Sequence, residues 1–392
     1  MNTTYDFIKI LLRSGITGEK LPVPCETIPE EVYQIISRQS VTALAYQGAV
    51  NCGIQQQEIM QKLFTHYCKG MLRSERQMMA LSNMFETFER NKIPFLPLKG
   101  CNMKKLYPKP ELRSMGDADV LIHPEDHDRI FPLMTEMGFQ YCREDDHTFV
   151  WRSKYLYVEL HKSLVPVTDE DYYAYYGTGW QLGIKGEGSR YDLSSEDAYI
   201  FLITHFARHF RNTGIGCRHV VDLYVYRCAY PDMKMDYIQE ELRKLHLWEF
   251  HQNIVKMLDV WFLGAEEDEV TCLATTMIFS GGNWGTTEAG VFSNVIKASR
   301  KKEDIKQSGL KAMLYAFFPP RARLSYKYEA VRKYPALVPV FWVVRWVNIL
   351  LFKPWKIGKK MRILKTVEND GVMKRRDVLK KIGLEFGSTE EV

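Results

Sequence analysis

Two aspartates, Asp117 and Asp119, stand one residue apart inside the apolar run DADVLI. Extended backbone sends successive side chains to opposite faces, so both carboxylates project from one side while Ala118, Val120 and Ile122 take the other. Two anions on one strand face repel unless something positive lies between them. A divalent cation does this best, and Mg²⁺ takes one or two protein carboxylates and completes its shell with water and substrate phosphates. A third carboxylate, Glu159, interrupts a second apolar run in YLYVELHKSL. If the two runs are neighbouring strands, three carboxylates converge. The plainer alternatives are a solvated Asp-x-Asp turn, and a Glu159 paired with Lys162 or Arg152.

The residues just upstream supply the opposite charge. Gly100 follows the apolar run FLPL and precedes CNMKKLY, so a strand turns into a helix at a glycine. Free N–H groups and the helix dipole at such a turn favour an anion, which makes it a seat for phosphate. Lys99 adds charge beside it. Arg113 adds more, in the forked geometry that suits phosphate oxygens.

Taken together, LPLKGCNMKKLYPKPELRSMGDADVLI, then VELH, then THFARHFRNTGIGCRHVVDLYVY resemble the uncharacterised nucleotidyltransferase family of the polymerase-β-like superfamily, over roughly residues 5–265. The resemblance implies an α+β fold, a small mixed-sheet nucleotidyltransferase core flanked by helical N- and C-terminal domains. It further implies Gly100 as the motif glycine, Asp117, Asp119 and Glu159 as metal-binding and catalytic carboxylates, and Lys99, Gly100 and Arg113 as the nucleotide-binding set. The cofactor would be Mg²⁺ or Mn²⁺ and the substrate an NTP, with ATP the expected one. The reaction would transfer NMP to a hydroxyl acceptor and release pyrophosphate. Composition does not name the acceptor, which could be a small molecule, a sugar, a protein hydroxyl or an RNA end. Two departures favour the alternative of a non-catalytic nucleotide- or partner-binding module. Position 101 is Cys where the superfamily has Gly or Ser, and fifteen residues separate it from Asp117, a longer spacer than usual.

The elements that must hold these groups follow from periodicity. Residues 1–92 carry apolar positions at three- and four-residue steps and predict a helical N-terminal domain. Between 93 and 193 the grammar changes to short apolar runs, PFLPLKG, DADVLI, GFQYC, TFVWR and YLYVEL, divided by turn residues. A helix from Pro124 to Gly138 interrupts them. Helices return over 194–290, opening with a capping box from Ser194 to Asp197 and a stripe of Ala198, Phe201, Leu202, His205, Phe206 and His209. Gly264 stops the helix of LHLWEFHQNIVKMLDVWFLG, and the glycine-rich SGGNWGTTEAG reads as a loop. A basic helical region, 291–392, follows.

Other residues with chemical potential carry less. His205 and His209 share a helix face at metal-ligand spacing, but no glutamate follows the first, so they read as core or substrate-facing histidines. Arg218 and Asp222 stand one helical turn apart, as an ion pair or as the wall that closes the site from the helical side. The eight cysteines include no C-x-x-C pair and fit reduced, structural thiols.

The net charge of +5 conceals an asymmetry. Lys297 to Lys381 holds 23 Lys and Arg against 6 Asp and Glu, a surplus of 17, which leaves −12 on the remainder. With Trp342, Trp346 and flanking basic residues, this region suits an anionic membrane surface or RNA, or else packs on the core and shows a solvated basic face. The N-terminus has no basic leader or small-residue cleavage site, and no uncharged apolar run reaches a membrane-spanning length. The expected location is cytoplasmic, with peripheral membrane contact through the basic region as the alternative to a solvated basic face.

Overall fold

The structure is a computed structural model, and it describes residues 3–55, 57–145, 147–282, 289–290, 292–293, 318–319, 321, 324, 328–352 and 369–384. The chain packs as two compact units, Met1–Phe206 with Gly216–Asn283 and Ala207–Ile215 with Trp284–Val392. Most of the basic region and of the SGGNWGTTEAG loop lies outside the described residues. In the second unit the helix Val338–Phe352 exposes Val340, Val343 and Val347. No helix among the described residues is long and apolar enough to cross a membrane.

The first unit begins with four helices, α1 (Thr3–Thr17), α2 (Glu30–Arg38), α3 (Thr42–Asn51) and the long α4 (Gln57–Arg90). Five strands follow: β1 (Phe95–Pro97), β2 (Asp117–Ile122), β3 (Gln140–Glu144), β4 (Thr148–Arg152) and β5 (Tyr157–His161). All five fall on the runs expected from sequence. They form one mixed sheet in the order β1-β2-β5-β4-β3. The β2–β5 pair is parallel and the other three pairs are antiparallel. The fold is therefore α+β, with helices flanking a five-stranded mixed sheet.

A one-turn helix α5 (Gly100–Met103) leaves β1, and α6 (His127–Glu136) joins β2 to β3 behind a single 3-10 turn from Pro124. α6 and α4 cover one sheet face. There Leu81, Met84 and Phe88 of α4 and Ile130 and Met134 of α6 pack on Ala118, Val120, Ile122, Trp151, Val158 and Leu160. Burial of these aliphatic and aromatic side chains contributes on the order of 1.5–3 kcal/mol each. It also settles the register, because a one-residue slip would bring the carboxylates into this core.

After the short α7 (Glu170–Tyr176) come α8 (Ser195–Asn212), α9 (Cys217–Ala229), α10 (Met235–Lys244), α11 (Trp248–Phe262) and α12 (Glu269–Ser280). Ser194 caps α8, which is one half of the expected capping box: the Asp197 N–H donates to Ser194 Oγ at 3.0 Å, while the Asp197 carboxylate accepts from that hydroxyl at 2.6 Å. The stripe is displaced from the expected one. Tyr199, Ile200, Phe201, Ile203, Phe206 and Phe210 are buried, whereas Ala198, Leu202, His205 and His209 are half-buried. A helix enclosed on more than one side buries a wider arc than a single three-four stripe describes. All eight cysteines are free thiols.

One buried network holds the strap Arg113–Met115 that leads into β2. Arg113 Nε and Nη2 donate to the two carboxylate oxygens of Asp222 on α9 at 2.7 and 2.8 Å, and Tyr107 adds its hydroxyl to Asp222 at 2.7 Å. The strap's carbonyls are each taken by a side chain. Lys104 donates to Arg113 at 2.8 Å, Arg218 to Ser114 at 3.1 Å and Gln77 of α4 to Met115 at 3.1 Å.

Removing one partner of a buried ion pair leaves the other charge uncompensated. Asp222→Asn is expected to cost about 3–5 kcal/mol in urea unfolding, and the double variant Arg113→Met/Asp222→Leu less than that single change. A cost below about 1 kcal/mol for Asp222→Asn would show that the pair does not hold the strap.

Candidate active site

The parallel pairing of β2 with β5 sets Asp119 directly beside Glu159 and Asp117 beside Tyr157. Asp117, Asp119 and Glu159 are half-buried on the sheet face opposite the Ala118 and Val120 core. The alternation that placed the two aspartates together also brings His161 to this face, two residues beyond Glu159. Its Nε2 lies 2.9 Å from Asp119 Oδ1 and 3.9 Å from Glu159 Oε2. Asp119, Glu159 and His161 each present a ligand atom within 4.8 Å of the others. Asp117 is not part of that cluster.

Lys162 goes to Glu144 and Arg152 to Gln140, so the plainer pairing of Glu159 with either is not formed among the described residues. His161 was not singled out from sequence, although VELH carries the signal: an i, i+2 partner of the glutamate on the same strand.

The upstream residues divide in role. Lys99 turns the chain between β1 and α5 at φ +32°, an unusual backbone state for a side-chain residue that costs on the order of 1–3 kcal/mol. Its ammonium lies 3.8 Å from Asp119 Oδ2 and 5.2 Å from the centre of the Phe201 ring. Gly100 sits close to its neighbours: a Cβ there would meet Arg113 Nη1 at a tight 3.3 Å and the Asp117 carbonyl at 3.5 Å, an ordinary contact.

Arg113 differs from the expectation of a phosphate ligand. Two of its nitrogens are spent on Asp222 and the third faces Gly100, so the fork that suited phosphate oxygens grips a buried carboxylate. The turn itself is also more committed than expected. The N–H groups of Cys101 and Asn102 donate to the Leu98 and Lys99 carbonyls, and Cys101 Sγ lies 3.5 Å from the Asp119 carbonyl. Arg218 belongs to the site's electrostatics, since its charge acts on Asp117.

The three carboxylates answer differently to this surrounding. Burial would raise Asp119, but Lys99, the hydrogen bond from His161 and Arg113 bring it well below the usual carboxylate range. Burial and the Asp119 charge raise Asp117, against the pull of Arg218 and Lys99. Burial, then Asp119 and Asp117, push Glu159 up to about 7. Burial lowers His161, which keeps it neutral at pH 7. Its Nε2 then carries the proton, because a carboxylate can only accept. In that tautomer His161 orients Asp119. The surplus of negative charge, carried entirely by oxygen donors, fits a hard divalent cation.

A mixed sheet thus sets two aspartates on one strand and a glutamate on its parallel neighbour, beside a glycine turn, an arrangement that could hold a divalent cation. The chain belongs to the uncharacterised nucleotidyltransferase family, which matches residues 26–263. No curated protein and no solved structure matches it.

The raised Glu159 fixes a pH trend with a definite sign. Its proton is held more tightly in the folded chain, at about 7 against an ordinary 4.5, so the stability it contributes is complete below about 4.5 and is lost as pH rises through 7. In metal-free protein, Glu159→Gln is expected to raise the thermal midpoint at pH 8 and to leave it unchanged at pH 4, and saturating Mg²⁺ should remove the difference at pH 8. Equal midpoints of variant and parent at pH 8 without metal would refute this.

Proposed function

We propose that this chain is a Mg²⁺-dependent nucleotidyltransferase that transfers NMP from an NTP to a hydroxyl acceptor and releases pyrophosphate. The observation that carries the reading is the register of Asp119 against Glu159 on parallel strands, with Asp117 on the same face. Asp117, Asp119 and Glu159 would hold Mg²⁺ or Mn²⁺, which would supply positive charge to the triphosphate and to the charge that develops on the leaving pyrophosphate. Lys99 sits where its ammonium can move from Asp119 to a phosphate oxygen, and Gly100 keeps the backbone close enough for that. His161 keeps Asp119 in one orientation.

Glu159, beside Asp119 on the parallel strand, would orient the acceptor and accept its hydroxyl proton as its oxygen attacks the α-phosphorus and the bond to pyrophosphate breaks. ATP is the first NTP to try. An acceptor cannot be named from these residues.

A second reading rests on Cys101 and its neighbours. With the Cys101 and Asn102 N–H groups already bonded and Lys99 already countering Asp119, the turn offers an anion little beyond the Gly100 N–H and the Lys99 ammonium. That favours a module that binds a nucleotide or partner without turnover.

Calorimetric titration of ATP with and without Mg²⁺ tests binding, and pyrophosphate release on candidate acceptors tests turnover. Asp117→Asn/Asp119→Asn is expected to abolish the Mg²⁺-dependent part of ATP binding while circular dichroism shows the fold retained, the relief of repulsion at Asp117 offsetting part of the lost attraction between Asp119 and Lys99. Unchanged Mg²⁺-dependent affinity would sink the site. Glu159→Gln should lower turnover by roughly 10²–10⁴-fold and spare ATP binding, whereas equal losses in both would make Glu159 a metal ligand alone.

A further inference from the structure

Beside the strap Arg113–Met115, on the side of α3 and α4, lies a cavity of about 210 Å³. None of the three carboxylates lines it. The N-terminus of α3 opens on it through Thr42 and Ala43. That helix starts at Val41, whose buried side chain has no group to cap with, and no side-chain hydrogen bond caps it. Its first ladder bond runs from the Ala45 N–H to the Val41 carbonyl, so the N–H groups of Thr42 and Ala43 precede the ladder.

From α4 come Lys69 and Arg73, both exposed, one helical turn apart. Neither forms an ion pair among the described residues, and like charges at this spacing cost the helix a few tenths of a kcal/mol, about 0.2–0.5. On the inner wall is Lys104, only 1% exposed. Its ammonium donates to the Arg113 carbonyl, a neutral acceptor, and forms no ion pair among the described residues. Burial and the charge of Arg113 hold its pKa down to about 8, against the opposing pull of Glu111. A buried ammonium ordinarily has an anion beside it. The one carboxylate on the wall, Glu111, accepts from the Tyr67 hydroxyl at 3.0 Å and sets one charge against the three cations Lys69, Arg73 and Lys104, while the lining Arg113 is already neutralised by Asp222.

We propose that this cavity is an oxyanion site that takes the phosphate group of a small phosphorylated ligand or free phosphate. A helix N-terminus, two exposed cations and a buried ammonium line a cavity with room for a phosphate and the small group that carries it. The site is distinct from the carboxylate face, where an anion would meet three like charges. It stands independently of the nucleotidyl-transfer reading, because its binding needs neither metal nor NTP.

Calorimetric titration of the full-length protein in chelator, with inorganic phosphate and with glycerol phosphate, tests it. Both anions are expected to bind, with Lys69→Ala/Arg73→Ala weakening them by roughly tenfold or more and Asp117→Asn/Asp119→Asn leaving them unchanged. The exposed pair can be replaced without disturbing the fold, which circular dichroism verifies, whereas Lys104→Met is a second probe, read by loss of the phosphate-induced rise in thermal midpoint. Tighter binding of glycerol phosphate assigns the cavity to a phosphomonoester, and tighter binding of inorganic phosphate to the free anion. Absence of heat with both anions, parental affinity in Lys69→Ala/Arg73→Ala, or loss of binding in Asp117→Asn/Asp119→Asn overturns the proposal.

Discussion

The Arg113–Asp222 pair is the interaction on which the rest of the site depends. One guanidinium touches three separate pieces of chain: Asp222 of α9 through two nitrogens, Gly100 of the turn through the third, and the strap of which it is part. The strap leads within four residues to Asp117. Burying two charges is expensive, and replacing such a pair with apolar groups often costs nothing in stability. What an apolar replacement cannot supply is direction. Arginine's planar fork fixes α9 against the strap at a defined angle, and lysine, a point charge, would fix only a distance.

The site is built from opposed charges at different depths. The carboxylate face carries more negative charge than its own residues neutralise. Asp119 is satisfied by Lys99 and His161, while Asp117 and Glu159 absorb the imbalance through a raised affinity for protons. Lys99 combines an unusual backbone state with an ammonium placed beside Asp119. Across the strap the imbalance is reversed, with Lys69, Arg73 and Lys104 facing one carboxylate. A few strap residues thus separate a face that favours cations from a cavity lined by them.

His161 shows how one rule reaches further than it was first applied. Period-two alternation explains why Asp117 and Asp119 share a face, and it places His161 with Glu159 on the same grounds. The imidazole adds no charge at neutral pH. It adds a single proton, aimed at Asp119, which leaves that carboxylate one preferred orientation.

By itself the sequence determined the elements and the faces: five strands on the expected runs, helices before and after them, and two aspartates and a glutamate within apolar strands. These follow from local periodicity, which a chain carries whatever its partners. The cap at Ser194 and the stop at Gly264 were legible for the same reason, since each involves neighbours along the chain. Only the tertiary structure decided that β2 runs parallel to β5 in the register that joins Asp119 to Glu159. It alone decided that Arg113 serves Asp222, 109 positions away, instead of a phosphate, and that Lys104 is buried against a carbonyl. Charge and fork geometry say what an arginine can bind; which acceptor it meets depends on which distant helix the hydrophobic core brings beside it.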